Sequence, residues 1–200
     1  MKYLLTLLFL TSLNCFAQNY QAQIAEHRKK YMDDFLTDQN SPLKKDDLQF
    51  LRFYDADSTY RVTAKEEILL NEPGFIMPVF SGKGREYIRY ATLKFTLKGQ
   101  PMQLTVYRNV RLSKIAEYKD YLFLPFTDDT NGNETYTGGR YIDLREGDFK
   151  GNTVVIDFNK AYNPYCAFSG GYACPKPPDE NHLAIAIQAG EKQFAGQKKH

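Results

Sequence analysis

The chain has 200 residues, 42% of them apolar and 25% charged, with a net charge of +2 at pH 7. That length suits one domain. The near balance of acids and bases excludes an electrostatic nucleic-acid binder, which needs a strong basic excess on one face. Aromatic content is 14%, all Tyr and Phe with no Trp, a composition that favours β structure.

The opening MKYLLTLLFLTSLNCFAQ carries Lys2, an apolar run from Tyr3 to Leu10 and the small residue Ala17. This is the pattern of a secretory signal peptide cleaved after Ala17. The run is too short for a permanent membrane helix, and no later stretch is long or apolar enough to be one. The expected location is therefore the periplasm or the exterior. Acylation at Cys15 is the alternative, and the Ser12-Leu13-Asn14 approach suits it poorly.

From 20 to 36 the spacing of Ile24, His27, Tyr31 and Phe35 predicts one face of a helix. Asn40-Ser41-Pro42 ends it. The pattern then changes. Segments 61–70, 75–81, 87–97, 102–109, 121–126, 140–144, 153–158 and 183–188 read as strands with alternating apolar residues. Lys98-Gly99-Gln100 and Gly82-Lys83-Gly84 are turn signals between them. Short strands with frequent turns predict a mainly β fold: one antiparallel sandwich or barrel-like domain with an N-terminal helix. The expected organisation is a leader over 1–17, the helix over 18–40 and a β-rich domain over 41–200.

Without the leader, two cysteines remain, Cys166 and Cys174. An even count in an exported chain reads as one disulfide. The competing metal site lacks the close cysteine spacing of zinc ligands, and His182 is its only nearby imidazole. Asp128, Asp129, Asn131, Asn133 and Glu134 are a polar turn by the same reasoning. The Gly132 position and the short reach to Glu134 do not fit a calcium loop. No metal or cofactor is expected.

Two polar segments, 125–144 and 157–183, carry the candidate chemistry. Glu134, Tyr136 and Arg140 can hold a carboxylate or phosphate, with Arg140 making the bidentate contact. Equally, Arg140 can pair with Glu134, Asp143 or Asp157 and pin the loop. Asp157 and Asn159 share one strand face that turns polar toward its end, as a pocket mouth does. Asn163-Pro164 makes a turn, and Glu180 and Asn181 precede the last strand. There is no G-x-S-x-G elbow, P-loop or H-E-x-x-H. Any proton chemistry thus falls to Glu134, Asp157 or Glu180.

FTDDTNGNETYTGGRYIDL, DFNKAYNPYCA, CPKPPDENHL and the closing AGEK together resemble the DUF1684 family of uncharacterised bacterial and archaeal proteins. The SPL at Ser41–Leu43, the YRVTA run and REYIRYATLKFTLKGQ are similar to it as well, so the resemblance spans nearly all of the chain after the leader. It implies that the 134–140 and 157–181 segments belong together. It also implies relatives without an export signal, in which the cysteine pair is more than an extracellular staple. His182 stands where that family's ENRL pattern has arginine, which weakens an anion-binding role there.

The resulting expectation is an exported protein binding a small anionic or polyhydroxylated ligand in a pocket built by 126–144 and 157–182. Tyr136, Arg140, Tyr141, Asn159, Asn163 and Asn181 would be the ligand contacts. The alternatives are a carboxylate-dependent hydrolase using Glu134, Asp157 and Glu180, and a structural or interaction protein with no ligand site. The partner expected is a small molecule, with no nucleic acid.

Overall fold

A computed structural model describes the backbone of residues 2–199 and the side chains of 19–199. The expected leader and Cys15 lie outside the residues whose side chains are described. Helix α1 spans Lys2–Thr37. The strands are β1 (Arg61–Ile68), β2 (Phe75–Met77), β3 (Arg85–Leu97), β4 (Gln100–Asn109), β5 (Tyr121–Asp128), β6 (Arg140–Arg145), β7 (Thr153–Asp157) and β8 (His182–Leu183). They form a curled antiparallel sheet in the order β6-β5-β4-β3-β1-β7, with β2 added to β3 and β8 parallel to β5. Among the described residues no helix is long and apolar enough to cross a membrane.

The concave interior is filled by alternate residues of every long strand, among them Leu93, Phe95, Leu104, Val106, Leu124, Phe126 and Ile156. Leu97 and Gln100 pair across Lys98-Gly99, both with positive φ. That is the two-residue turn whose twist matches a hairpin. Further along β3 and β4 the register shifts between Arg89 and Ala91. This bulge swaps the faces. Past it, Tyr87 and Tyr107 turn outward and join Met77, Phe123 and Tyr141 in a second apolar cluster. The second cluster lies under the 160–175 segment, and the candidate site forms there.

The strand expected over 183–188 is reduced to His182–Leu183. Beyond it the chain's backbone is served by side chains instead of a ladder. Ile187 N–H donates to Asp128, and Arg140 donates to the Ile187, Ala189 and Glu191 carbonyls. Gly190 follows with φ +78°, and a Cβ there would stand 2.6 Å from both the Phe158 and Ala161 carbonyl oxygens. Only glycine fits that crossing.

Candidate functional site

The residues singled out in sequence are mostly fastenings. Arg140 is 0% exposed. Its Nη2 donates to Asp128 Oδ2 at 2.8 Å and to the Ile187 carbonyl at 2.8 Å, and its guanidinium lies over the Phe126 ring. With both terminal nitrogens occupied and no surface, it has no face for an external anion. Its partner is Asp128, not Glu134, Asp143 or Asp157.

The three candidate carboxylates are each held separately. Glu134 accepts from the Tyr54 hydroxyl at 3.1 Å and from Gln188. Asp157 accepts from the Tyr20 hydroxyl at 2.9 Å and from Asn159. Glu180 takes Arg89 in two contacts, 2.9 and 3.1 Å, and the Tyr107 hydroxyl at 2.7 Å. The Arg89 guanidinium, with help from Tyr107, holds the Glu180 carboxyl below its usual range against the opposing effect of burial. None of the three lines the large cleft against α1, and each is engaged by partners of its own, so they are not brought together as a paired-carboxylate site.

The asparagines stitch backbone. Asn159 donates to Asp57 O, the Tyr20 hydroxyl and Asp157, and accepts from Asp57 N–H. Asn181 bonds both backbone groups of Thr105 and the carbonyl of Pro125. Asn163 donates to the Lys192 carbonyl and to Glu191. Tyr136 packs on Phe80. His182 is exposed and meets the Thr127 hydroxyl through Nδ1 at 3.0 Å.

The expected disulfide is not formed. Cys166 and Cys174 are buried free thiols. Cys166 N–H donates to Cys174 Sγ at 3.3 Å, while the Cys166 thiol is turned to the Tyr172 carbonyl at 2.9 Å. Burial, reinforced by the Cys166 side chain, pushes the Cys174 thiol up to about 12. Among the described residues no three His, Cys, Asp or Glu side chains converge to hold a metal.

One of the expected residues, Tyr141, does line a large cleft, of about 670 Å³, a volume within the range of small-molecule sites. One wall is α1, through His27, Lys30, Tyr31, Asp34 and Phe35, which recur at helical spacing on one face. The others are the start of β3 at Arg85, β6 at Tyr141–Asp143, and the 160–175 segment. Six rings run round it in sequence. Tyr141, Tyr162, Tyr31, Phe35, Tyr165 and Tyr172 follow one another at centroid separations of 5.8, 5.9, 5.0, 5.7 and 5.3 Å. The Tyr141 hydroxyl donates to the Pro175 carbonyl, three residues after Tyr172, and so closes the belt.

Two acids line this cleft, Asp34, which is paired with Lys30, and Asp143, which has no basic partner among the described residues. Asp143 Oδ1 accepts from the Tyr121 and Tyr162 hydroxyls, each at 2.7 Å. Asp143 is exposed to solvent and lines the cleft. The desolvation that its protein neighbours impose pushes its carboxyl above the usual range, against the pull of the two phenols and Arg145. No described residue bonds Oδ2. Lys30 is paired with Asp34 at 2.8 Å. Arg85, beside Cys174, and Lys160, beside His27, line the cleft, and among the described residues neither has a carboxylate partner. Desolvation, with Lys160 adding to it, holds His27 below the usual imidazole range, so it is neutral at pH 7.

The family model described as a protein of unknown function, DUF1684, matches residues 46–192. The chain belongs to this family. A solved structure with a similar fold is the solution NMR structure of an uncharacterized protein of Haloarcula marismortui. It is 31% identical, covers 88% of this chain and 95% of that one, and has a TM-score of 0.68. None of the curated proteins matches. The DUF1684 segment contains Asp143, Arg85, Lys160 and four of the six rings, whereas Tyr31 and Phe35 come from α1, ahead of the matched residues.

Sequence reasoning did not single out Asp143, Arg85, Lys160, Tyr162, Tyr165 or Tyr172 as site residues. The dense tyrosines of 162–172 and the α1 face shared by His27, Tyr31 and Phe35 were the available signals. Each reads equally well as core packing until the two are seen to face one another.

Proposed function

We propose that the protein binds a small anionic ligand in the cleft between α1, the end of β6 and the 160–175 segment. The observation that carries this reading is a closed aromatic belt with two cations, Arg85 and Lys160, that have no carboxylate partner among the described residues. Both are exposed to solvent at the cleft, where an unpaired cation beside apolar walls is available to a small anion. The contacts are Tyr141 and the rings joined to it, not Arg140 and the asparagines.

The reading includes export, with the leader removed after Ala17. Among the described residues α1 meets the body through Tyr20, which bonds Asp157, and this contact lies beyond the cleavage point.

The test is calorimetric titration of a panel of small carboxylates and phosphates into the wild type and the Arg85→Ala/Lys160→Ala double variant. Binding weakened at least about tenfold in the variant, at unchanged thermal stability, is the expected result. A panel that finds no binder, or binding indifferent to the double variant, would leave a purely structural role for the cleft.

A further inference from the structure

The belt tyrosines line the cleft with their rings and keep their hydroxyls for the protein. Tyr31 donates to Glu191 at 2.9 Å, Tyr162 to Asp143 at 2.7 Å, Tyr165 to Asp38 at 2.8 Å, Tyr172 to the Asn40 carbonyl at 2.7 Å, and Tyr141 to the Pro175 carbonyl. All five hydroxyls are thus already donating. A polyhydroxylated ligand would meet few hydrogen-bond donors here. What remains is aromatic surface, and aromatic rings attract cations. Two of these phenols, Tyr162 and Tyr165, donate to a carboxylate, which shifts electron density onto the ring and strengthens that attraction.

The unpaired acid on this cleft adds to the same preference. Asp143 keeps Oδ2 without a protein donor among the described residues, on the lining of the cleft. A carboxylate oxygen with no protein donor can take a positively charged partner. Arg85 and Lys160, however, would repel a ligand that is only cationic. A ligand that is only anionic would be opposed by Asp143.

We infer that the ligand is a zwitterion: an alkylated ammonium group seated within the Tyr31–Tyr141–Tyr162–Tyr165–Tyr172 belt against Asp143, with a carboxylate or phosphate group reaching Arg85 or Lys160. The inference rests on the cleft being a binding site. It names the chemical class of its occupant.

The experiment uses four probes titrated into the full chain at low ionic strength: phosphocholine, glycine betaine, choline and inorganic phosphate. The expected result is that at least one zwitterion binds about tenfold or more tighter than choline and phosphate, since each of these satisfies only half of the site. Asp143→Asn retains an oxygen for the two phenols and removes the charge. It should weaken zwitterion binding about tenfold while leaving phosphate binding unchanged or tighter, since the repelling charge is gone. Arg85→Ala/Lys160→Ala should weaken zwitterions and phosphate together and leave choline unaffected or tighter. Circular dichroism melts of each variant separate these effects from misfolding. Phosphate binding as tightly as both zwitterions would overturn the zwitterion and leave the anion site standing. Choline binding as tightly as both zwitterions would also overturn it, and would tell against the anion site too. Failure of all four probes, together with an empty anion panel, would overturn both readings.

Discussion

Glu191 is fully buried, and its Oε2 accepts from the Tyr31 hydroxyl at 2.9 Å and from Asn163 N–H at 2.8 Å. Its Oε1 and the Asn163 Oδ1 both lack a partner. Two acceptors in this state are relieved by one proton on the carboxyl. Burial pushes the Glu191 carboxyl up to about 7 from 4.5, so folding takes up a proton between those values. The resulting stability is present in full below about pH 4.5 and is lost as pH rises through 7. It amounts to about 3 kcal/mol. His27, held low by burial, acts in the opposite direction over the same range, so the informative quantity is a difference between proteins. Glu191→Gln keeps the site neutral at every pH. Urea denaturation from pH 5 to 8 should show the variant gaining about 3 kcal/mol relative to wild type across that window. A flat difference would mean that Glu191 stays ionised in the fold.

At the scale of elements, the weak seam of the sheet lies between β4 and β5. Their ladder has a single registered pair, Tyr107 with Phe123. Asn181 fills the gap next to it. Its side chain takes Thr105 N–H at 2.8 Å and donates to the Thr105 and Pro125 carbonyls at 2.8 and 2.6 Å. A short polar side chain thus replaces missing backbone pairing, and this explains an asparagine with zero exposure. Asn181→Ala leaves three buried backbone groups unpaired and should cost about 2–4 kcal/mol. Asn181→Asp should fare no better, because a carboxylate oxygen would face two carbonyls. A loss below about 1 kcal/mol for the alanine variant in chemical denaturation would show that the strands close the seam themselves.

For the whole molecule, the two thiols test how tightly the 160–175 segment is held. Cys166 and Cys174 are free in this structure, with the Cys166 amide bonding the Cys174 sulfur. Burial and the raised Cys174 pKa keep the pair unreactive in the fold. A thiol reagent should therefore label neither cysteine quickly in the native protein and both in denaturant. Fast labelling of the native protein would mean that the segment opens readily, and no labelling in denaturant until a reductant is added would mean that the pair closes a bridge.

The sequence by itself determined the elements. Alternating residues placed the long strands, though not the 183–188 segment, because a strand's two faces follow a period of two whatever the chain does elsewhere. Lys98-Gly99 marked its hairpin because positive φ is a local requirement, and Ile24, His27, Tyr31 and Phe35 showed the buried helix face for the same local reason. Only the tertiary structure decided which charges are available. Arg140 meets carbonyls about fifty residues away, Asp157 meets Tyr20, and Tyr31 meets Glu191. A charged side chain is a binding group or a fastening according to what is packed around it, and those neighbours come from parts of the chain too distant for any spacing to reveal.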